Sequence, residues 1–120
     1  MKLLVLAALA GVALATSAAA QTKYEHCVLT RDLRNHTVAD SHTLYWDVGG
    51  RSVYRVTTSD SCLAGATSSD PVVLRDRGAM GRICTKMDLD ISVRGARCIV
   101  ASWTKLTPEE AAALPKHVKP

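Results

Sequence analysis

The stretch CTKMDLDISV, residues 84–93, carries the residue types that come closest to a site for chemistry. Its two aspartates, Asp88 and Asp90, are separated by a single residue. On a β-strand, residues two apart point to the same side and lie about 7 Å from each other. Two carboxylates placed in this way could bind one cation or act as an acid–base pair. Calcium, however, needs about six to eight oxygen ligands, and the loop motif that usually supplies them is absent from the sequence.

The same stretch also fits a plain structural role, because apolar and polar residues alternate along it as they do on a half-buried strand. The apolar set is Met87, Leu89, Ile91 and Val93. The polar set is Lys86, Asp88, Asp90 and Ser92. This alternation predicts a strand over 86–93 whose acids face solvent, balanced by neighbouring basic side chains. In that case Asp88→Asn and Asp90→Asn would each change the free energy of unfolding by less than about 0.5 kcal/mol.

Other elements of a catalytic site are sparse in this chain. The G-x-S-x-G motif of α/β-hydrolases is absent. The histidines are scattered, at His26, His36, His42 and His117. The sequence therefore predicts a protein without catalytic residues, a metal site or a cofactor. The alternative is a small hydrolase or metal-dependent enzyme that uses Asp88 and Asp90 with one of these histidines.

The N-terminal residues have the features of a secretory signal peptide. Lys2 supplies the positive charge, residues 3–15 form an apolar stretch, and the alanines at 18–20 provide the small residues of a cleavage site. The apolar stretch is shorter than the roughly 20 residues that span a bilayer. Residues 1–20 are therefore predicted to be removed, which leaves 21–120 as one small domain without a membrane anchor. Such a protein would be periplasmic or secreted.

Cysteine usage agrees with export to an oxidising compartment. The chain has four cysteines, and they are Cys27, Cys62, Cys84 and Cys98. No CxxC pair is present, so disulfides are favoured over a zinc site. The sequence alone does not fix the connectivity. We expect Cys62–Cys84, which would tie down the loop-rich segment 59–83, and Cys27–Cys98, which would join the two ends of the sheet.

Alternating segments separated by turn residues predict an all-β fold. The clearest hairpin is 43–58, where a tight turn at Gly49-Gly50 would pair Val48 with Arg51. Further strands are predicted at 71–77, 86–93 and 97–106. We expect about five antiparallel strands that form a small barrel or curled sheet pinned by disulfides.

One short helix is predicted near the C-terminus. Thr107 can act as the N-cap, with Pro108 in the first helical position and Glu110 as the capping-box partner. Pro115 ends the helix, and residues 116–120 would form a tail. The helix is then a lid on the sheet rather than part of its core.

A candidate interaction surface lies on the predicted hairpin. In the predicted register, Arg51 and Arg55 share a face with Trp46, and arginine beside tryptophan is common in protein interfaces. Alternatively, Trp46 is a core residue and the arginine side chains extend past it into water. Nucleic acid is not expected as a partner, because the formal net charge is only +4 and aromatic residues make up 4% of the chain.

Several landmarks occur together over the predicted mature chain. They are a cysteine soon after the signal peptide, GRSVYR at 50–55, a cysteine shortly after it, RIC at 82–84 followed by Asp88, a cysteine at the start of the last strand, and LTPEEAAAL at 106–114. With this set the chain resembles a family of small exported proteobacterial proteins classed as a domain of unknown function. The resemblance implies export, disulfides and a compact β fold. It implies no catalytic residue, because the family has no assigned activity.

These features favour an exported, non-catalytic binding or inhibitor-like module. Such a module would present a rigid, disulfide-pinned surface to its partner. The expected partner is an envelope protein or a cell-wall component.

Overall fold

The computed structural model describes residues 27–75 and 80–120. The predicted signal peptide and His26 lie outside these ranges. The strands in them are β1 Val28–Leu29, β2 Leu33–Asp40, β3 Thr43–Val48, β4 Ser52–Thr58, β5 Val72–Arg75, β6 Arg82–Ile83, β7 Asp90–Val93, β8 Ala96–Arg97 and β9 Val100–Lys105. Helix α1 is Pro108–Ala112, and single 3-10 turns occur at Thr30–Asp32, Lys86–Asp88 and Lys116–Val118. No helix in these ranges is long and apolar enough to cross a membrane.

The strands form three antiparallel sheets, which confirms the predicted all-β class with one short helix. The largest sheet has four strands in the order β2-β3-β4-β9. A second has three strands in the order β5-β7-β8, and β1 pairs with β6 in a third. These sheets do not close into a barrel, so that form of the prediction is wrong.

The hairpin of β3 and β4 forms where the sequence predicts it, but in a different register. Gly49 and Gly50 both adopt positive φ, as a tight turn requires. Arg51 belongs to the loop together with the two glycines, so Val48 pairs with Ser52 rather than with Arg51. A shift of one residue moves every later side chain of β4 to the other face of the sheet.

The core lies between one face of the four-stranded sheet and the smaller sheets. Leu44 and Val56 pair directly across the hairpin, and both are fully buried. They pack with Leu63 from the loop before β5 and with Ile91 from the second sheet. Leu63 therefore anchors a segment for which the sequence predicts little apolar support.

The predicted return strand over 97–106 is split between two sheets. Arg94 and Gly95, both with positive φ, form the two-residue turn that pairs β7 with β8. The chain then leaves this sheet at Cys98-Ile99 and continues as β9, which pairs with β4. This crossover joins the two sheets on one side of the core.

The disulfides are Cys27–Cys84 and Cys62–Cys98, so the predicted pairing is wrong. In the first bond, antiparallel pairing of β1 with β6 puts Val28 opposite Ile83 and brings the flanking cysteines together. Their Cα atoms are 4.1 Å apart. In the second bond, the segment after β4 runs beside the crossover, where the Ser59 N–H donates to the Ile99 carbonyl. Both pairings depend on contacts between segments far apart in sequence.

The C-terminal segment has the predicted helix cap but not the predicted free tail. The Thr107 side chain accepts from the Glu110 N–H, and the Glu110 carboxylate accepts from the Thr107 N–H, which confirms the capping box. Beyond α1, Val118 is buried and its carbonyl accepts a hydrogen bond from Thr37 on β2. Thr37 lies opposite Tyr45, on the face of the sheet away from the core. The C-terminal segment therefore covers part of the sheet's second face.

Candidate functional site

The first half of the stretch 84–93 is a 3-10 turn rather than a strand. The Thr85 side chain accepts from the Met87 N–H, and the Asp88 carboxylate accepts from the N–H groups of Cys84 and Thr85, at 2.8 and 3.0 Å. This is a capping box, which satisfies backbone donors that the turn leaves unpaired. Asp88 is therefore a structural cap, and the strand interpretation of this half is wrong.

Asp90 has a different role from Asp88. It begins β7, and its carboxylate lies 3.3 Å from the guanidinium of Arg97 on β8. The two acids therefore have separate partners and do not converge on one ligand. Within residues 27–75 and 80–120, no three His, Cys, Asp or Glu side chains come together as metal ligands.

Two of the three histidines in the described ranges are engaged with backbone groups, and the third, His117, is exposed in the C-terminal 3-10 turn. His36 donates through Nε2 to the Asp70 carbonyl at 2.8 Å, and its ring meets Trp46 edge-on. His42 donates through Nδ1 to the Asp60 carbonyl at 2.9 Å. These contacts join loops to strand ends, which is a structural use of the imidazole ring.

The structure does not bring Trp46, Arg51 and Arg55 together as one surface. Trp46 is 4% exposed, and its indole N–H donates to the Arg34 carbonyl at 3.0 Å, so it is a core residue. Arg51 lies in the hairpin loop. Arg55 pairs with Tyr45, which places it on the opposite face from Trp46. The predicted interaction surface on the hairpin is therefore not formed.

An open groove at the crossover into β9 is the strongest candidate site in the described part of the chain. Its volume is about 460 Å³, which falls within the range of known ligand pockets. Met87 and Ile99 stand beside it with 72% and 62% of their surface exposed. The lining residues are Asp60, Lys86, Met87, Leu89, Asp90, Arg97, Cys98, Ile99 and Val100. We call this the crossover groove.

The walls of the crossover groove are held in place by covalent and polar contacts. Cys98 lies in the groove wall and is bonded to Cys62. The Ile99 N–H donates to the Asp60 carboxylate at 3.1 Å, which fixes the crossover backbone. On the other side, the Asp88 cap holds the turn that carries Met87. A pre-formed apolar surface loses little conformational entropy when a partner binds.

A pair of stacked aromatic rings lies further along β9. Tyr54 and Trp103 have ring centroids 4.3 Å apart at an interplanar angle of 20°. Burial in this stack raises the pKa of the Tyr54 hydroxyl above its usual value. The stack fixes the position of Trp103 against the sheet and so stiffens the strand that leads away from the groove.

The sequence patterns did not predict that Met87 and Ile99, the two exposed residues of the groove, point outward. Alternation places Met87 on the inner face with Leu89, whereas the turn directs it outward. A signal was available, since Thr85 and Asp88 have the spacing of a capping box, the same pattern that correctly identifies α1. Ile99 was predicted within a continuous strand, and no local pattern marks the change of sheet there.

No family model, curated protein or solved structure matches this chain. The resemblance to exported proteobacterial proteins of unknown function therefore stays a prediction.

Proposed function

We propose that this chain is an exported, non-catalytic binding or inhibitor-like module that presents the crossover groove to an envelope protein or cell-wall component. One observation carries the proposal: Met87 and Ile99 stay exposed beside a groove of about 460 Å³ whose wall contains a disulfide. Exposed apolar side chains that flank a recess are typical of interaction sites.

Export is part of the same proposal. Two disulfides indicate an oxidising compartment, such as the periplasm or the medium. A signal peptide over 1–20 would deliver the chain there, with cleavage after Ala20. Mass spectrometry of the exported protein should then find a chain that begins at Gln21 and is lighter than its reduced form by four hydrogen atoms. A chain that retains Met1 would contradict cleavage.

The alternative of an enzyme that uses Asp88 and Asp90 receives no specific support. Asp88 accepts two backbone N–H groups, and Asp90 is paired with Arg97. A catalytic acid–base pair would need both carboxylates to be available to one bound substrate.

Site-specific photo-crosslinking tests the binding function. A photoreactive amino acid placed at Ile99 in the exported protein should capture a discrete partner, as should one placed at Met87. The matched control is Val73, which is 50% exposed on β5 in a different sheet. Equal capture at Val73, or no capture at either groove position, would contradict the proposal.

A further inference from the structure

Strand β9 lies at an edge of the four-stranded sheet, next to the crossover groove. It pairs with β4 on one side, and within the described residues no strand pairs with its other side. An edge strand carries backbone N–H and C=O groups that point away from the sheet and can pair with another chain.

The register of β9 identifies which of its backbone groups point outward. The Leu106 N–H donates to the carbonyl of Val53, directly opposite, at 2.8 Å. In an antiparallel pair, hydrogen-bonded and non-hydrogen-bonded positions alternate. Lys105 and Trp103 therefore occupy non-hydrogen-bonded positions, and their N–H and C=O groups point to the open edge. In the described ranges no other group is hydrogen-bonded to them there.

The crossover groove continues this edge at the N-terminal end of β9. Ile99 and Val100 line the groove and lead directly into the strand. A segment that hydrogen-bonds to Trp103 and Lys105 could therefore extend along β9 and place a large apolar side chain between Ile99 and Met87. The chemistry of the site is thus an extended main chain plus one apolar anchor.

Charges at the two ends of the site indicate which residues should flank the apolar anchor of the bound segment. Lys86 lies at the groove and Lys105 at the far end of β9. Neither forms an ion pair with any residue of 27–75 or 80–120. The positive charge of Arg97 is already shared with Asp90, and the Asp60 carboxylate, which also lines the groove, accepts from the Ile99 N–H. A segment with acidic side chains near its two ends would therefore complement the free cations.

We propose that β9 and the crossover groove bind an extended, acidic segment of another exported protein, which adds to the sheet as a further strand. This inference rests on the proposed binding function and names its partner's chemistry. A second copy of the chain is a poorer occupant, because β9 has the sequence VASWTK and brings no carboxylate to either lysine.

The test begins by selecting peptides from a displayed random library on the immobilised, oxidised domain. A selected peptide is then synthesised, and its affinity for the domain is measured by fluorescence anisotropy. We expect the selected peptide to contain a large apolar residue flanked by Asp or Glu. N-methylation of the peptide residues whose backbone N–H faces β9, which are every second residue, should weaken binding at least about tenfold. N-methylation of the residues between them should weaken binding by less than about twofold.

Protein variants locate the peptide. Ile99→Asp and Lys86→Glu should each weaken binding at least about tenfold, a loss of about 1.4 kcal/mol or more. The matched controls are Val73→Asp on β5 and Lys119→Glu beside β2, which should leave binding unchanged. Near-ultraviolet circular dichroism and the melting temperature establish that each variant is folded, and Met87→Asp replaces Ile99→Asp if that variant is not.

Each result separates the two proposals. If the groove variants weaken binding but N-methylation has no alternating effect, a binding groove stands and strand addition is wrong. If no peptide is selected, or if the controls weaken binding as much as the groove variants, strand addition is overturned. The domain should sediment as a monomer, and a dimer that Ile99→Asp abolishes would instead assign the edge to a second copy.

Discussion

The two edges of the four-stranded sheet are treated differently by the rest of the chain. At β2, the Val38 N–H donates to the Ser68 hydroxyl at 3.0 Å, and His36 donates to the Asp70 carbonyl. Next to this edge, the C-terminal turn covers part of the second face of β2, through its bond with Thr37. At β9, the turn Lys86–Asp88 and Asp60 contact only the N-terminal end, and no described segment is hydrogen-bonded to the outward groups of Trp103 and Lys105. The fold therefore covers one edge with its own loop and leaves most of the other edge open.

A single loop, residues 59–70, links the two edges. Near its start, Asp60 holds the Ile99 backbone and Cys62 is bonded to Cys98. Near its end, Ser68 and Asp70 meet β2. Changes in this loop should therefore affect both edges, whereas changes elsewhere should affect one.

The largest expected effect comes from removing Cys62–Cys98. The Cys62→Ala/Cys98→Ala variant should lose about 4 kcal/mol in the free energy of unfolding, from the loop entropy that the bond removes. Hydrogen exchange should also show weaker protection of the Val38 amide. Urea unfolding checks the first effect. The control, Cys27→Ala/Cys84→Ala, should lose a similar free energy but keep Val38 protected in the folded state, and equal loss of protection would contradict the role of the loop.

Shortening the chain after Leu114 tests the cover over the second face of β2, beside the covered edge. It removes the buried Val118 side chain and leaves Thr37 without its acceptor, so the free energy of unfolding should fall by about 2 kcal/mol. Chemical denaturation measures the loss. Lys119→Ala is the control and should change stability by less than about 0.5 kcal/mol. If the shortened chain is as stable as the full one, the terminal turn is a free tail after all.

Asp88→Ala should lower the free energy of unfolding by about 1 kcal/mol, because the carboxylate caps the turn that forms one wall of the crossover groove. This exceeds the value below about 0.5 kcal/mol expected of a solvated strand residue. Lys86→Ala, in the same turn, is the control and should be nearly neutral. An unchanged denaturation midpoint for Asp88→Ala would restore the strand interpretation.

Ile99→Ser should change the free energy of unfolding by less than about 0.5 kcal/mol, since the side chain is mostly exposed at the open edge. Val73→Ser on β5 is the matched substitution and should behave alike in thermal melts. A loss well above this value for Ile99→Ser alone would mean that the side chain stabilises the fold rather than a complex.

The smallest expected effect is a pH dependence at the covered edge. The Thr67 N–H donates to the Asp70 carboxylate and lowers the pKa of that group below 3.8. Since the folded pKa is the lower one, the carboxylate stabilises the loop above this value, and the contribution is lost as pH falls through the lowered pKa. Protection of the Val38 amide should therefore weaken in acid. Asp70→Asn should remove that dependence, and an unaltered acid response would contradict the assignment.

Local signals explain which parts of the fold the sequence could predict. Two adjacent glycines mark the β3–β4 turn, and Thr107 with Glu110 marks the start of α1. The register was off by one residue because whether Arg51 belongs to the loop or the strand has no local signature. The disulfide pairing was missed because β1 and β6 are only two residues long and pair across the whole domain.

The site was harder to predict than the fold, for a related reason. Met87 and Ile99 form a groove only because a turn replaces a strand on one side and a strand changes sheet on the other. The first event was readable from Thr85 and Asp88. The second depends on the pairing of β9 with β4 instead of with β7. That pairing is a property of the assembled core rather than of the residues around Ile99.

The contact between Thr37 and Val118 spans 81 positions of the chain, and this separation would have a consequence if the chain is exported as proposed. A chain that crosses a membrane N-terminus first delivers Thr37 long before Val118. The β2 side of the sheet therefore cannot be completed while translocation is under way, because the residue that packs beside it has not arrived. The domain would therefore gain the last part of its stability only after the whole chain has crossed.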